Sequence, residues 1–82
     1  MKYQLEFKPR AVRDSRDLDD STQRRVMEKI EALCENMTGG VKRLTHFTPE
    51  YRLRVGDIRV LFEADRGKIV VYRVVHRRDA YR

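Results

Sequence analysis

The stretch Tyr51-Arg52-Leu53-Arg54-Val55-Gly56-Asp57-Ile58-Arg59-Val60-Leu61-Phe62 decides how the rest of this 82-residue chain is read. Apolar and charged residues alternate across it on both sides of Gly56-Asp57. Period-two alternation is the signature of a strand with one buried face, and Gly-Asp between two such runs is a tight-turn signal. The segment is therefore a β-hairpin, and residues 58–64 form its second strand. Asp65-Arg66-Gly67-Lys68 is a second turn. Residues 69–75, rich in β-branched side chains, are a third strand.

Working back towards the N-terminus, residues 41–50 read as a loop with Pro49 near its end. Before it, Val26, Ile30, Leu33 and Met37 recur at helical spacing, flanked by Met27 and Cys34. Asp20 or Ser21 caps this helix, with Gln23 three residues after Asp20. Thr38-Gly39-Gly40 ends it. A shorter helix over residues 10–18 follows Pro9, which suits a first helical turn. Residues 2–7 alternate as a strand, with Tyr3, Leu5 and Phe7 on one side. The expected architecture is a single α+β domain over residues 1–82, in the order β-α-α-β-β-β. Its sheet is antiparallel, with the two N-terminal helices packed on one face.

Composition narrows the function classes. The net charge is +6, with 40% apolar and 39% charged residues. Residues 1–40 hold eight bases and eight acids, whereas residues 41–82 hold eleven bases and five acids. The excess therefore lies wholly in the second half, a pattern that suits a polyanionic or acidic partner. No apolar run approaches the ~20 residues of a membrane span, and residues 1–6 contain no signal-like apolar core. One cysteine, Cys34, forms no internal disulfide, which fits a reducing cytoplasm. One cysteine and two separated histidines argue against structural zinc, and neither a cofactor nor a metal is expected.

Strand parity places the charge. If Tyr51, Leu53 and Val55 face the helices, Arg52 and Arg54 face away. Arg59 follows in the next strand. Arg73 and Arg77 follow in the last, where Tyr72 and Val74 are expected to pack inward, with Val71 and Leu61 adding apolar surface to the arginine side. A single exposed arginine is the default state of that residue. Five on one uncovered face form a surface suited to phosphate and base contact. The tail His76-Arg77-Arg78-Asp79-Ala80-Tyr81-Arg82 adds an imidazole, further guanidiniums and an aromatic ring, a composition that holds single-stranded nucleic acid.

The hairpin segment followed by His76-Arg77-Arg78-Asp79-Ala80-Tyr81-Arg82 resembles the RelE/ParE superfamily of type II toxin–antitoxin toxins. The likeness extends over Phe7-Lys8-Pro9-Arg10-Ala11 and the second helix. It implies a toxin that enters the ribosomal A site and cuts mRNA there, and a RelB-like antitoxin, acidic and apolar, that wraps it. The resemblance assigns the site to Arg52, Arg54, Arg59, Arg77 and Tyr81. Arg73, Arg78, Arg82, Lys42 and Arg43 are further candidates for RNA contact. The family prototype has lysines where this chain has Arg52 and Arg54, and arginine, with a pKa above ~12, does not serve as a base. His76 is then the candidate for proton transfer, although parity sets it opposite Arg77; His46 is the weaker one. Two other readings stay open: a ParE-like poison of DNA gyrase, and a non-catalytic RNA- or ribosome-binding domain.

Overall fold

The computed structural model describes residues 2–36, 40–44 and 49–80. Its elements run β1 (Gln4–Phe7), α1 (Pro9–Arg16), α2 (Asp20–Glu35), β2 (Val41–Arg43), β3 (Tyr51–Val55), β4 (Ile58–Asp65) and β5 (Lys68–His76). The α+β class, both helices and the C-terminal meander follow the sequence reading. The sheet itself departs from it in three ways.

First, the sheet is mixed. Its order is β1-β5-β4-β3-β2, with β1 parallel to β5 and every other pair antiparallel. An alternating pattern reports which face a strand buries, not the direction of its neighbour. Second, part of the expected loop is a strand. β2 pairs with β3 through Val41–Leu53, Lys42–Arg52 and Arg43–Tyr51. Three residues are too few to show periodicity. Gly40 leads into this strand at φ +72°, where its carbonyl accepts the Arg54 N–H at 3.0 Å. Third, β5 carries a bulge. Leu61 opposes Arg73 and Phe62 opposes Val71, so Tyr72 is the extra residue. Both Val71 and Val74 therefore point inward, at 0% and 2% exposure. Simple parity had put Val71 outside and Tyr72 inside.

Asp14 of α1 explains how the bulge is held. β1 pairs with β5 only as far as Phe7–Val71, and Lys8 N–H then reaches the Val71 carbonyl at 2.8 Å. Beyond that point the outer edge of β5 would leave an unpaired donor. Asp14 Oδ2 accepts the Val74 N–H at 3.0 Å and Arg73 Nε at 2.8 Å.

The core lies between the sheet and the helices. Ala11, Val26, Ile30 and Leu33 meet Leu53, Val60, Phe62 and Ile69, all buried. Tyr51 stacks on Phe62 at 5.4 Å between ring centres. The α2 stripe is as expected, but its cap is Asp19, which accepts the Thr22 N–H at 3.3 Å. The helix ends at Glu35, with Asn36 extended. The expected contributions of Met37, Thr38 and Gly39 to its end lie outside the described residues.

Candidate nucleic-acid interface

The helices cover one face of the sheet, and cross-strand register orders the other. One row runs Lys42, Arg52, Leu61, Arg73 across four strands; the next runs Arg54, Arg59, Val75. Residues directly opposite have Cβ atoms ~4.5–5.5 Å apart, and like charges there repel. The pairs Lys42–Arg52 and Arg54–Arg59 are both of that kind. Gly40, Val41, Lys42, Arg52, Arg54 and Arg59 line a cleft of about 240 Å³. The basic area is bounded. Farther along the same face Val70 stands between Glu63 and Glu6, the latter paired with Lys68 at 2.8 Å, so acids interrupt the run of cations. Glu63 also accepts the Glu50 N–H at 3.0 Å.

Arg59 is the one buried charged residue among those described, 8% exposed. Its Nη1 donates to the Gly56 carbonyl at 2.7 Å and to the Ile58 carbonyl at 3.1 Å. These bonds tie down the hairpin turn. They do not neutralise the guanidinium, because carbonyls carry no net charge. A full positive charge is thus fixed at the base of the cleft, with no carboxylate against it among the described residues. Such preorganised charge in a partly desolvated site stabilises developing negative charge more strongly than it would in water.

The other expected site residues separate into groups. Arg77 lies at the hairpin end, its N–H donating to the Asp57 carbonyl at 2.7 Å and its Nε 3.8 Å from Asp57 Oδ1. Both side chains of that pair are exposed, so the ion pair holds Arg77 only weakly. Arg78 is exposed beside it, donating its N–H to His76 Nδ1 at 3.3 Å.

Arg73 is committed elsewhere. Its Nε and Nη2 lie 2.8 and 3.3 Å from the two oxygens of Asp14, a forked charge-assisted contact. Burial pushes the Asp14 carboxyl up, but the bonds from Arg73 and the Val74 N–H, with the charges of Arg73 and Arg10, outweigh it. The net result lies below the ordinary carboxylate value. Arg43, opposite Tyr51, has the other parity and is paired with Glu50 through Nε at 2.7 Å and through Nη2. Neither Arg73 nor Arg43 adds a free cation to the cleft.

His76 does not reach the arginines. It opposes Ile58 on the helix side and lines a separate cavity of about 350 Å³ with Asp17, Asp19, Arg25 and Asp57. No twist at the strand end carries it across the sheet. Tyr81, Arg82 and His46 lie outside the described residues. The signal missed in the sequence was Asp14, whose partners are 59 and 60 residues away. Among the described residues no group of three or more His, Cys, Asp or Glu side chains is placed to hold a metal ion. No helix there is long and apolar enough to cross a membrane.

Comparison with known proteins agrees with this geometry. The family model described as "ParE toxin of type II toxin-antitoxin system, parDE" matches residues 5–81. A Methanocaldococcus jannaschii protein with the provisional name toxin RelE1 is 31% identical over 88 residues, spanning 100% of this chain and 98% of that protein. The fold matches the crystal structure of the RelB–RelE antitoxin–toxin complex from Methanococcus jannaschii, with TM-score 0.77, 25% identity, and 93% and 94% of the two chains covered. It also matches that of the RelE–RelB complex from Pyrococcus horikoshii OT3, with TM-score 0.80, 22% identity, and 94% and 97% covered. At that identity the second likeness is one of fold alone.

Proposed function

The chain belongs to the ParE toxin family of type II toxin–antitoxin systems, within the RelE/ParE superfamily, and from this we propose that it is a ribosome-dependent mRNA interferase. The observation that carries the reading is the cleft between β2, β3 and β4. There Arg52, Arg54 and Arg59 converge with Lys42, and the deepest guanidinium has only carbonyl partners among the described residues.

The chemistry follows from what an RNA strand brings with it. Its 2′-oxygen attacks the adjacent phosphorus in line, charge builds on the non-bridging oxygens, and the 5′-oxygen leaves. Arg52, Arg54 and Arg59 stabilise the charged phosphorane without a metal ion. Planar guanidiniums suit this task, since each presents two parallel donors to a phosphate. Arg77 and Arg78 extend the basic surface around the hairpin end towards the 3′ or 5′ flank of the message. Tyr81, three residues after Arg78 in sequence, is assigned to stacking on the target base. The ribosome supplies the mRNA in an extended form that this open face can receive.

A cognate antitoxin is the second partner. The complexes matched above pair a RelE toxin with a RelB antitoxin. In this chain a groove of about 520 Å³ between α2 and β3 has Ala32, Leu33 and Leu53 in its lining, with Lys29 and Arg54 beside them. That combination suits an acidic and apolar segment. Arg54 also lines the cleft, so a segment seated there competes with RNA for one cation.

The test is induction in cells followed by primer extension on cellular mRNA. Cuts within codons that vanish with Arg54→Ala support the reading. The second reading, a ParE-like gyrase poison, is favoured by the ParE name of the matching family model. Altered plasmid supercoiling with intact mRNA would establish it instead.

A further inference from the structure

Cleavage by 2′-oxygen attack needs a proton for the departing 5′-oxygen. The arginines of the cleft are poor sources, because a guanidinium holds its proton with a pKa above ~12. His76 opens onto the helix side of the sheet. Among the described residues lining the cleft, the other proton-bearing side chain is Lys42. Its position is a product of the tertiary structure: β2 exists only as the partner of β3, and its register sets Lys42 directly opposite Arg52. Lys42 is exposed at the mouth of the cleft and makes no hydrogen bond or ion pair among the described residues. Its neighbour Arg43 is held by Glu50. Among the described residues, the strand therefore presents one unengaged ammonium group beside the phosphate-binding cations.

We infer that Lys42 is the general acid of the cleavage, an assignment that rests on the reading of the cleft as an RNA-cleaving site. The O2′–P bond forms as the 2′-hydroxyl proton passes to solvent water. The P–O5′ bond breaks with its electron pair on O5′, and a proton from Lys42 Nζ completes the 5′-hydroxyl. The products are a 2′,3′-cyclic phosphate and a 5′-hydroxyl end. Lys42 then regains its proton from solvent, so the step consumes nothing else. Arg52, Arg54 and Arg59 hold the non-bridging oxygens throughout.

The experiment is single-turnover cleavage on programmed ribosomes by the wild-type protein, Lys42→Arg and Lys42→Met. Two messages are compared, one ordinary and one with sulfur replacing the bridging 5′-oxygen at the A-site cut. A thiolate leaves without protonation, so this substrate makes a general acid unnecessary. Both variants are expected to cut ordinary mRNA at least ~100-fold more slowly, within the usual range for general acid–base catalysis. On the sulfur-substituted message they should come within about fivefold of wild type. Lys42→Arg should bind the ribosome within about threefold of wild type, since it keeps the charge. Variants that cut ordinary mRNA within about threefold of wild type, or that stay slow on the sulfur-substituted message, would remove Lys42 as the acid and leave the cleft reading standing. Wild-type protein that leaves both messages intact would overturn the cleft reading and this assignment together.

Discussion

Arg59 and Arg73 occupy matching places on the open face of one sheet, yet their surroundings give them different work. Among the described residues, Arg59 on β4 bonds only to the Gly56 and Ile58 carbonyls and keeps its charge for whatever enters the cleft. Arg73 on β5 meets the Asp14 carboxylate and closes a strand edge. Alternation assigns both to the same side. What separates them is whether a carboxylate from another element reaches the guanidinium, and that is decided by how α1 packs against β5. Counting arginines on a face therefore overstates the charge available to a ligand. In this protein the cations that line the cleft are Lys42, Arg52, Arg54 and Arg59.

The sharpest way to break this contrast is to remove cations from each region in turn. Arg52→Ala combined with Arg54→Ala is expected to slow mRNA cleavage at least ~100-fold, and Arg54→Ala alone, at an exposed position, should leave stability within ~0.5 kcal/mol. Arg73→Ala is expected to keep cleavage within about threefold. Primer extension on translating extracts, with urea denaturation of each variant, reads both quantities. An Arg73→Ala protein as inactive as the double variant would erase the distinction.

Stability should show the reverse order. Asp14→Ala leaves the Val74 N–H and Arg73 without their acceptor at a site where the Asp14 side chain is 11% exposed. The expected loss is ~1–3 kcal/mol, the usual cost of orphaning a buried polar group. Arg43→Ala, breaking the more exposed Glu50 pair, is expected to cost less than ~1 kcal/mol. Equal losses would mean that the bulge needs no latch.

The same carboxylate predicts a pH dependence. Its folded-state pKa is lowered, so its contribution is complete above the ordinary carboxylate range of the unfolded chain. The contribution is lost as pH falls through the lowered folded value. Melting temperatures of wild type and Asp14→Asn should thus differ most near neutrality and converge in acid. A gap that stays constant with pH would show that the charge on Asp14 is irrelevant.

The smallest expected effect is electrostatic. Removing Arg54 should lower the slope of log affinity against log salt for single-stranded RNA by ~0.7, one phosphate contact. Arg73→Ala should leave that slope unchanged.

Much of this was legible beforehand. The alternation in β3 and β4 placed Arg52, Arg54 and Arg59 away from the core, and register confirms it. The helical stripe Val26, Ile30, Leu33 is buried as its spacing implies. The bulge at Tyr72 was not legible, and with it the inward turn of Val71. A bulge shifts parity by one residue, and the carboxylate bonded beside this one lies on α1, far away in sequence. His76 lies on the helix side, as its parity opposite Arg77 implies, with the buried Ile58 as its register partner. Lys42 read only as one more basic residue, because a three-residue strand has no period to detect.

The sequence by itself determined the class of fold, the faces of the hairpin and the sign of the charge on the open one. Those properties are carried by side-chain periodicity and by residue type, both local. The tertiary structure alone decided which cations remain available, which direction β1 runs, and that Lys42 stands across from Arg52. Those depend on contacts between segments that no short window of sequence contains. A charge has the same sign wherever it is placed, but its chemistry belongs to the groups that fold against it.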